Sequence, residues 1–331
     1  MTSGDGGQTM LAAVMRRHGE PPEVGPHPSP ARRPGEALIR ITAAPVNPLD
    51  LLCASGTSYF GAPALPYVPG TQGVGIVAEA DDIPAGQRVW FSSSAGMRPG
   101  DGSMAQLCAV PASAILPLRD DVSDDLAAAL GLSAVAAWMA LTWRGGLQPG
   151  EHVIVLGASG NVGQVAVQAA RLHGAGRVVA ACRDAHGRAR AAELGADAVA
   201  DLSGDDTDAI AARLAQASGR ADLVLDPVWG RPAEAALRVL SPHGRLVNLG
   251  SSAGAEASFG SATVRSGMLS VLGYTNNMLT GEQKAAALSE ILTHAAAGRL
   301  TADRETLPLD RAAEAWSRCG QAPHRRSVLI P

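Results

Sequence analysis

The chain has 331 residues, of which 46% are hydrophobic and only 3% aromatic, and its formal net charge is −4. This length predicts two domains of ordinary size, and the composition favours tightly packed α/β layers over an aromatic-rich β-sandwich. A slightly acidic chain without a basic face excludes nucleic acid as an expected partner.

Cysteine spacing and the terminal sequence predict a cytoplasmic protein. The four cysteines lie far apart and form no CxxC pair, so neither a disulfide framework nor a cysteine-rich zinc site is expected. No apolar run approaches the roughly 20 residues that cross a bilayer, and the first residues lack the parts of a signal peptide. We therefore expect no membrane partner, and we expect residues 1–9 to be disordered.

The first third of the chain predicts short strands joined by turns. From Met10 to about Arg119, proline and glycine interrupt β-branched runs at 37–41, 74–77 and 88–91. Around Ser123 the composition changes and becomes rich in alanine. Ser123 can cap a helix over 124–143, whose first two residues are aspartates that suit the positive end of a helix. A domain boundary near residue 125 is therefore expected.

Beyond Gly150 the pattern alternates between strand and helix. It runs through VIVLG, a helix over 161–173, RVVAA, a helix over 188–194, a short strand over 198–200, LVLDP and RLVNLG. Strands that are apolar on both faces belong in a parallel sheet covered by helices, which predicts a doubly wound sheet over roughly 128–268. The remainder, with VLGY, a helix over 281–297 and a strand over 327–330, is expected to return to the first domain.

A glycine-rich turn joins the first strand of this region to its helix. Gly157 allows a sharp turn, Gly160 allows close approach of a pyrophosphate, and Gly163 lets the helix lie against the strand. The first-turn amides and the helix dipole would then favour the diphosphate charge. The expected cofactor-binding segment is Gly157, Ala158, Ser159, Gly160, Asn161, Val162 and Gly163. The alternative is a tight turn that binds nothing.

The residues after the next strand indicate whether the dinucleotide is NAD or NADP. An acid there would accept the ribose hydroxyls of NAD, whereas the strand RVVAA runs into Cys182 and Arg183, with Arg188 a few residues on. A guanidinium can bind the 2′-phosphate of NADP. The sequence therefore favours NADP, while Asp184 leaves NAD as the weaker option and a solvated surface arginine as the other interpretation.

Taken together, these motifs resemble the medium-chain dehydrogenase/reductase superfamily, and within it the zinc-free, quinone oxidoreductase-like branch. The resemblance runs from Met10 over nearly the whole chain, through AAPVNPLD, LPYVPGTQGVGIV, AGQRVWF, GASGNVG with ELGADAV, LVLDPVWG, HGRLVNLGS and SVLIP. It implies an α/β fold in which a Rossmann doubly wound parallel sheet (128–268) is inserted into a GroES-like, mainly β catalytic domain (1–127 and 269–331). It also implies an active site in the cleft and a homodimer, for which the strand over 269–273 is a candidate pairing edge.

The resemblance also identifies the positions at which related enzymes bind zinc. Alcohol dehydrogenases of this superfamily bind catalytic metal through two cysteines and a histidine, and here those positions read Asn47, Thr71 and approximately Leu132. An amide, a hydroxyl and an alkyl group do not replace thiolate and imidazole as zinc ligands. The expectation is therefore an enzyme without zinc.

Candidates for substrate contact come from NPLDLLCASGTSYFG. Related reductases place the Asn and Asp of the NPxD element beside the nicotinamide, which carries over to Asn47 and Asp50. A nearby tyrosine often lines the substrate site, but Tyr59 comes one residue late, with Ser58 at the usual place. The alternatives are that Asn47 is a turn residue, that Asp50 only accepts backbone hydrogen bonds and that Tyr59 packs on a surface loop.

Two later stretches are expected to complete the cofactor site at the carboxyl ends of strands. They are residues 226–228, which include Pro227, and Asn248, Leu249, Gly250 and Ser251. The other interpretation of Asn248 is a satisfied polar group at a strand end. Trp229 replaces a glycine that the family often has after LDPV, which predicts a narrower or more aromatic pocket.

The sequence thus predicts an NADPH-dependent oxidoreductase that transfers hydride to a small electrophile, a quinone or an α,β-unsaturated carbonyl. One alternative is a ketone or imine reductase, or a pathway-specific enzyme that uses the same step on a larger natural product. An alternative of another class is an NADPH-binding regulatory or structural protein with little turnover.

Overall fold

The computed structural model describes residues 8–204, 206–321 and 324–331. The chain divides into two compact units, the first formed by residues up to Gly131 together with Asp303–Pro331 and the second by Leu132–Ala302. Both ends of the chain therefore build one unit, and the second unit is inserted between them.

The first unit is mainly β. Its strands are β1 (Thr9–Val14), β2 (Glu23–Pro28), β3 (Glu36–Pro45), β4 (Gln72–Glu79), β5 (Arg88–Ser92), β6 (Leu107–Pro111), β7 (Ile115–Pro117), β14 (Arg304–Pro308) and β15 (Arg326–Ile330). β1 and β2 form a hairpin, while the other seven form one sheet in the order β14-β15-β3-β4-β5-β7, with β6 also paired to β3. Two helices, α1 (Pro48–Ala54) and α9 (Ala312–Gly320), lie in this unit.

Strand β3 carries the core of the first unit. Its side chains alternate between buried and less buried positions, and Ala37, Ile39 and Ile41 belong to the buried cluster. This alternation is typical of a sheet with one packed face. The β-branched runs predicted as strands all lie within β3, β4 and β5.

The helix α2 (Asp124–Met139) begins the connection to the second unit, and it is kinked at Gly131. The φ of Gly131 is 26°, and a Cβ there would overlap the side-chain oxygen of Gln72. Only glycine fits this kink, and the boundary between the units falls at it.

This helical stretch also corrects an expectation. Continued by one π-helical turn, the segment Asp124–Arg144 has 21 residues and is long and apolar enough to cross a bilayer by length and composition. The expectation that no apolar run approaches this length was therefore wrong. A core helix of a soluble protein passes the same test, and 61% of this segment's apolar window is buried inside the protein.

The second unit is a parallel sheet covered by helices. Its strands are β8 (His152–Leu156), β9 (Arg177–Cys182), β10 (Ala198–Asp201), β11 (Ala221–Asp226), β12 (Leu240–Asn248) and β13 (Ser270–Gly273), and its helices are α3 (Asn161–Leu172), α4 (Ala185–Glu193), α5 (Thr207–Ser218), α6 (Gly230–Leu237), α7 (Ser261–Gly267) and α8 (Gly281–Ala296). The strand order is β10-β9-β8-β11-β12-β13, and every pair is parallel. This order is that of a doubly wound Rossmann sheet, whose order reverses between β8 and β11.

The end of the second unit differs from the expectation. Residues 269–302 were expected to return to the first domain, but β13 pairs in parallel with β12, and the segment belongs to the second unit. The chain returns to the first unit at Asp303. Helix α8 buries Leu288, Ile291 and Leu292, and this apolar face requires a neighbour that the sequence alone does not identify.

The amino terminus also begins its structure earlier than expected. The disorder expected over 1–9 lies mostly outside the described residues, since residues 1–7 are not described. Thr9, however, already pairs with Pro28 as the first residue of β1. Strand pairing therefore begins before Met10.

Candidate functional site

The glycine turn of the second unit lies where the strand order reverses. It follows β8, whose neighbours are β9 and β11. The φ of Gly157 is +60°, and a Cβ there would come within 2.6 Å of Cγ1 of Val228, which follows β11. Glycine is therefore needed at 157 both for the backbone turn and for the close approach of the two strand ends.

The other two glycines of the turn differ in what surrounds them. A Cβ on Gly163 would overlap the carbonyl oxygen of Gly157, so helix α3 lies directly against the turn. A Cβ on Gly160, by contrast, would find its nearest atom 3.6 Å away, which is ordinary contact. The fold itself does not require glycine at 160. A backbone left open at the N-terminus of a helix is suited to approach by an anionic group.

The residues after β9 separate the two candidate arginines. Arg188 donates to the carbonyl oxygens of Cys182 (3.1 Å) and Arg183 (2.9 Å), and it pairs with Asp201 at 3.1 Å. Arg183 is exposed, and its side chain has no hydrogen bond or ion pair to the described residues. Arg188 therefore stabilises the start of α4, whereas the guanidinium of Arg183 is available to a ligand.

Asp184, the acid that left NAD as an alternative cofactor in the sequence analysis, is the N-cap of α4. Its carboxylate accepts a hydrogen bond from the backbone N–H of Gly187. A carboxylate used as a helix cap is less available to ribose hydroxyls. This weakens the case for NAD.

Beside the turn, the ends of β11 and β12 are joined through a buried carboxylate. Asp226 is fully buried, and its Oδ1 accepts the backbone N–H groups of Val228 (2.9 Å) and Trp229 (2.8 Å). Asn248 donates from Nδ2 to Oδ2 of Asp226 at 3.1 Å and to the carbonyl oxygen of Gly250 at 2.7 Å. Burial raises the pKa of Asp226, and these hydrogen bonds oppose that shift.

This network changes the interpretation of the predicted residues at these strand ends. The side-chain amide of Asn248 already donates hydrogen bonds to Asp226 and Gly250. Its role in the structure is therefore to hold the ends of β11 and β12 together. A Cβ on Gly250 would come within 2.5 Å of the carbonyl oxygen of Pro227, which brings the two loops close. Leu249 donates its backbone N–H to the carbonyl oxygen of Asp226 at 2.9 Å. Sequence reasoning did not identify Asp226 as the centre of this network, although an acid directly after LVL is a signal for it.

In the first unit, Asn47 and Asp50 lie together at the start of α1. Asp50 is 2% exposed; one carboxylate oxygen accepts the N–H of Asn47 at 2.7 Å and the other accepts the N–H of Thr71 at 2.8 Å. Burial raises the pKa of Asp50, and these backbone hydrogen bonds and the charge of Arg326 oppose the shift. Asp50 thus holds the backbone at Asn47 and at Thr71 in place. This agrees with the alternative that Asp50 only accepts backbone hydrogen bonds.

Gln72 is a buried residue that the sequence analysis missed. Its Nε2 donates to Oδ1 of Asn47 (3.3 Å), and its Oε1 accepts the indole N–H of Trp90 (3.0 Å). A glutamine at 0% exposure within an apolar strand needs such partners. Its position in TQGVGIV was a signal, because buried strands rarely contain an amide without a role.

Tyr59 lies apart from this network. Its side chain is 76% exposed and packs against the ring of Phe60, with ring centroids 4.1 Å apart. Ser58, at the usual family position, is buried and donates from Oγ to the carbonyl oxygen of Gly61 at 3.2 Å. The structure brings Asn47 and Asp50 together and leaves Tyr59 on a loop surface.

The positions that bind zinc in related dehydrogenases do not fit this metal here. The Asn47 side chain accepts from Gln72 and donates to the carbonyl oxygen of Pro45 at 3.4 Å. Thr71 and Leu132 supply a hydroxyl and an alkyl group. This donor set lacks the thiolates and imidazole that zinc requires.

Two family models match the chain. The alcohol dehydrogenase GroES-like domain matches residues 33–120, within the first unit, and the zinc-binding dehydrogenase model matches residues 161–292, within the second. The matched regions follow the chain order of the two units.

Individual proteins are similar over longer stretches. A subunit of the phenolphthiocerol/phthiocerol polyketide synthase of Mycobacterium tuberculosis is 31% identical over 304 residues, which is 88% of this chain but 13% of that protein. Mouse quinone oxidoreductase is 29% identical over 226 residues, covering 67% of this chain and 66% of that protein. The chain thus spans about an eighth of the length of the first relative and just under two thirds of the second.

Among solved structures, the quinone oxidoreductase from Thermus thermophilus, determined alone and in complex with NADPH, is similar with a TM-score of 0.81 and 29% identity. The likeness covers 97% of this chain and 100% of that one.

The different surroundings of the glycines predict unequal effects on stability. We expect Gly163→Ala to lower the free energy of unfolding by about 1–3 kcal/mol, because its Cβ overlaps backbone that cannot yield easily. Gly160→Ala should cost less than about 1 kcal/mol, since the space is open. Urea unfolding followed by circular dichroism measures both. Equal losses in the two variants would contradict the described packing of the turn.

Proposed function

The chain belongs to the medium-chain dehydrogenase/reductase superfamily, and from this premise we propose that it is an NADPH-dependent oxidoreductase. We propose further that it transfers hydride to a quinone or an α,β-unsaturated carbonyl without zinc. The relatives named quinone oxidoreductase support this assignment.

The glycine turn carries the proposal. Its three glycines have three separate surroundings: a turn with positive φ at 157, open space at 160 and close packing at 163. A turn that only joined a strand to a helix would need no open glycine at its centre. Since ligands of doubly wound sheets bind at the carboxyl ends of strands where the order reverses, the turn is suited to a dinucleotide diphosphate.

NADPH is favoured over NADH by two side chains. The guanidinium of Arg183 has no partner among the described residues and suits a 2′-phosphate. The carboxylate of Asp184, which would have suited ribose hydroxyls, caps α4 instead. The similar Thermus enzyme was solved with NADPH, which supports the same preference.

The residues of this chain would bind and orient the reactants. When bound, NADPH supplies a hydride from C4 of its nicotinamide to an electrophilic carbon of the acceptor. Backbone amides of 157–163 would hold the diphosphate, and Arg183 the 2′-phosphate. The resulting enolate or hydroquinone anion then takes a proton from water or a positioned hydroxyl. Orientation and exclusion of water contribute several kcal/mol without a dedicated acid.

The similarity to a polyketide synthase subunit supports a second class of acceptor. The polyketide synthase subunit matches 88% of this chain within a much longer protein. This match supports a natural product intermediate, such as an α,β-unsaturated thioester, as a second candidate acceptor for the same hydride step.

We also propose a cytoplasmic location. All four cysteines are buried and free, which suits a compartment that keeps thiols reduced.

Activity measurements test the proposed reaction. We expect steady NADPH oxidation with quinones, enones or α,β-unsaturated thioesters, slower oxidation with simple ketones and imines, and unchanged rates after dialysis against EDTA. NADPH absorbance at saturating acceptor and zinc content by elemental analysis are the measurements. Tight NADPH binding without oxidation by any acceptor would favour a regulatory or structural role instead. Loss of activity in EDTA that zinc restores would contradict the metal-free mechanism.

Arg183 provides the test of coenzyme preference. We expect Arg183→Ala to raise the dissociation constant for NADPH by about 10- to 100-fold, the range of one or two charge-assisted hydrogen bonds, and to leave that for NADH nearly unchanged. Isothermal titration with each coenzyme measures both values. The control is Arg190→Ala on helix α4, which follows Arg183, where the arginine pairs with Glu193 at 3.0 Å. An equal change for NADH and NADPH would remove 2′-phosphate recognition from Arg183.

We propose a homodimer formed through the β13 edge of the second unit. β13 is a terminal strand of the described sheet, and Val271 is 40% exposed. Met268 and Trp143 are 66% and 51% exposed, and Arg144 donates to the carbonyl oxygen of Gly273 at 2.9 Å, which brings the 143–144 turn to this edge. An apolar strand edge is suited to pairing with a second copy.

The two terminal strands of the sheet offer a matched pair of variants for this proposal. Val271 on β13 and Val199 on β10 are each 40% exposed. We expect Val271→Lys to convert a dimer to a monomer, because a charge at the edge opposes strand pairing, and Val199→Lys to leave the dimer intact. Light scattering after gel filtration measures the mass. A monomeric wild type, or a dimer in both variants, would exclude this edge.

A further inference from the structure

One non-glycine residue beside the glycine turn adopts a backbone conformation that belongs to glycine. Trp229 has φ 60° and ψ −162°, a region that side chains with a Cβ almost never occupy. In this conformation, the N–H of Trp229 donates to the buried carboxylate of Asp226 at 2.8 Å. The following residue, Gly230, also has a positive φ, of 62°. A glycine at 229 would adopt this backbone without strain, so the tryptophan side chain must contribute something that offsets it.

The indole of Trp229 packs on a loop rather than on its own helix. Its ring meets the ring of Phe259 edge-on, with centroids 5.4 Å apart and an interplanar angle of 85°. Both side chains are partly buried against the hydrophobic core of the second unit. This T-shaped arrangement is a favourable aromatic geometry.

The loop that carries Phe259 has few other attachments. Residues 249–260, between β12 and α7, form neither helix nor strand. Ala253 donates its N–H to the carbonyl oxygen of Val228 at 2.7 Å, and Ser258 donates its N–H to Oε1 of Glu234 at 2.7 Å. Phe259 adds a side-chain attachment to these backbone hydrogen bonds, because its ring contacts the ring of Trp229. The aromatic pair thus joins the far end of the loop to the end of β11.

The Trp229 end of this connection and the start of the loop lie beside the proposed cofactor site. Val228, next to Trp229, is the residue that a Cβ on Gly157 would meet, and residues 249–251 at the start of the loop are predicted cofactor contacts. A displacement of the loop would therefore move backbone that lies against Pro227 and Val228, the residues next to the glycine turn. Binding is tighter when such a loop is already ordered before the ligand arrives.

We propose that Trp229 is a positioning residue for the dinucleotide, which clamps Phe259 and so holds the 249–260 loop in its binding conformation. This inference rests on the proposed NADPH binding and adds the residue that preorganises the site. The strained backbone is retained because the indole can reach Phe259 from this conformation.

Three variants test the clamp. Trp229→Gly removes the side chain and the strain together, Phe259→Leu removes the aromatic contact without touching the strained backbone, and Trp229→Phe keeps an aromatic ring at 229. NADPH affinity is measured by isothermal titration at a temperature where each variant is fully folded. Loop freedom is measured by the rate at which a glutamate-specific protease cleaves after Glu256, which is exposed.

We expect Trp229→Gly and Phe259→Leu each to raise the NADPH dissociation constant about tenfold, the size of effect that one aromatic pair supports. Both should also accelerate cleavage after Glu256 in the free protein, and saturating NADPH should slow that cleavage again. Trp229→Phe should remain within about threefold of wild type in both measurements. Should Trp229→Gly fail to fold, Phe259→Leu decides the question, since its backbone is unchanged.

Unchanged affinity and unchanged cleavage in Phe259→Leu, with only a lower melting temperature, would overturn the proposal and leave the pair a structural contact. A wild-type protein that binds no NADPH would instead refute the proposed function. The two failures are therefore distinct.

Discussion

The close contact between helix α3 and the turn that precedes it is the constraint on which the second unit depends. Gly163 has no space for a Cβ because the carbonyl oxygen of Gly157 occupies it, and Gly157 in turn lies against Val228. These contacts bring the ends of β8 and β11 together at the point where the strand order reverses. Between these two packed glycines, the backbone at Gly160 is open, since a Cβ there would find its nearest atom 3.6 Å away. The proposed cofactor site follows from this packing.

Much of this arrangement could be predicted from the sequence, since it depends on local patterns. Strands β8, β9 and β11 are short apolar runs between turns, and the roles of Gly157 and Gly163 follow from backbone geometry that only glycine allows. The resemblance to a known superfamily was apparent from the motifs and their order, and that resemblance implied the insertion of one unit into the other. Boundaries were less accurate, because the apolar run in β13 carries no information about which sheet it joins.

The features that sequence reasoning missed are long-range polar contacts. Asp226 was predicted only as part of a stretch that completes the cofactor site, yet its carboxylate joins the loop after β11 to the end of β12. Gln72, Asn47 and Trp90 are distant in sequence and meet only in the folded first unit. Arg183 and Arg188 looked equivalent in the sequence, but Arg188 is bound to backbone carbonyl oxygens and Asp201. Such distinctions depend on which partners a side chain finds, and residue type does not specify them.

The capping role of Asp184 has a consequence for redesign of this protein. In NAD-dependent enzymes with this fold, an acid after the second strand hydrogen-bonds to the ribose, so introducing an acid there is a route to NADH preference. Here an acid already stands there, and its oxygen is used to begin α4. Removing Asp184 would therefore loosen the helix, and reorienting it would leave the Gly187 amide without its acceptor. An engineer who wants an NADH-dependent variant should build the new ribose contact at position 183 and leave its neighbour in place.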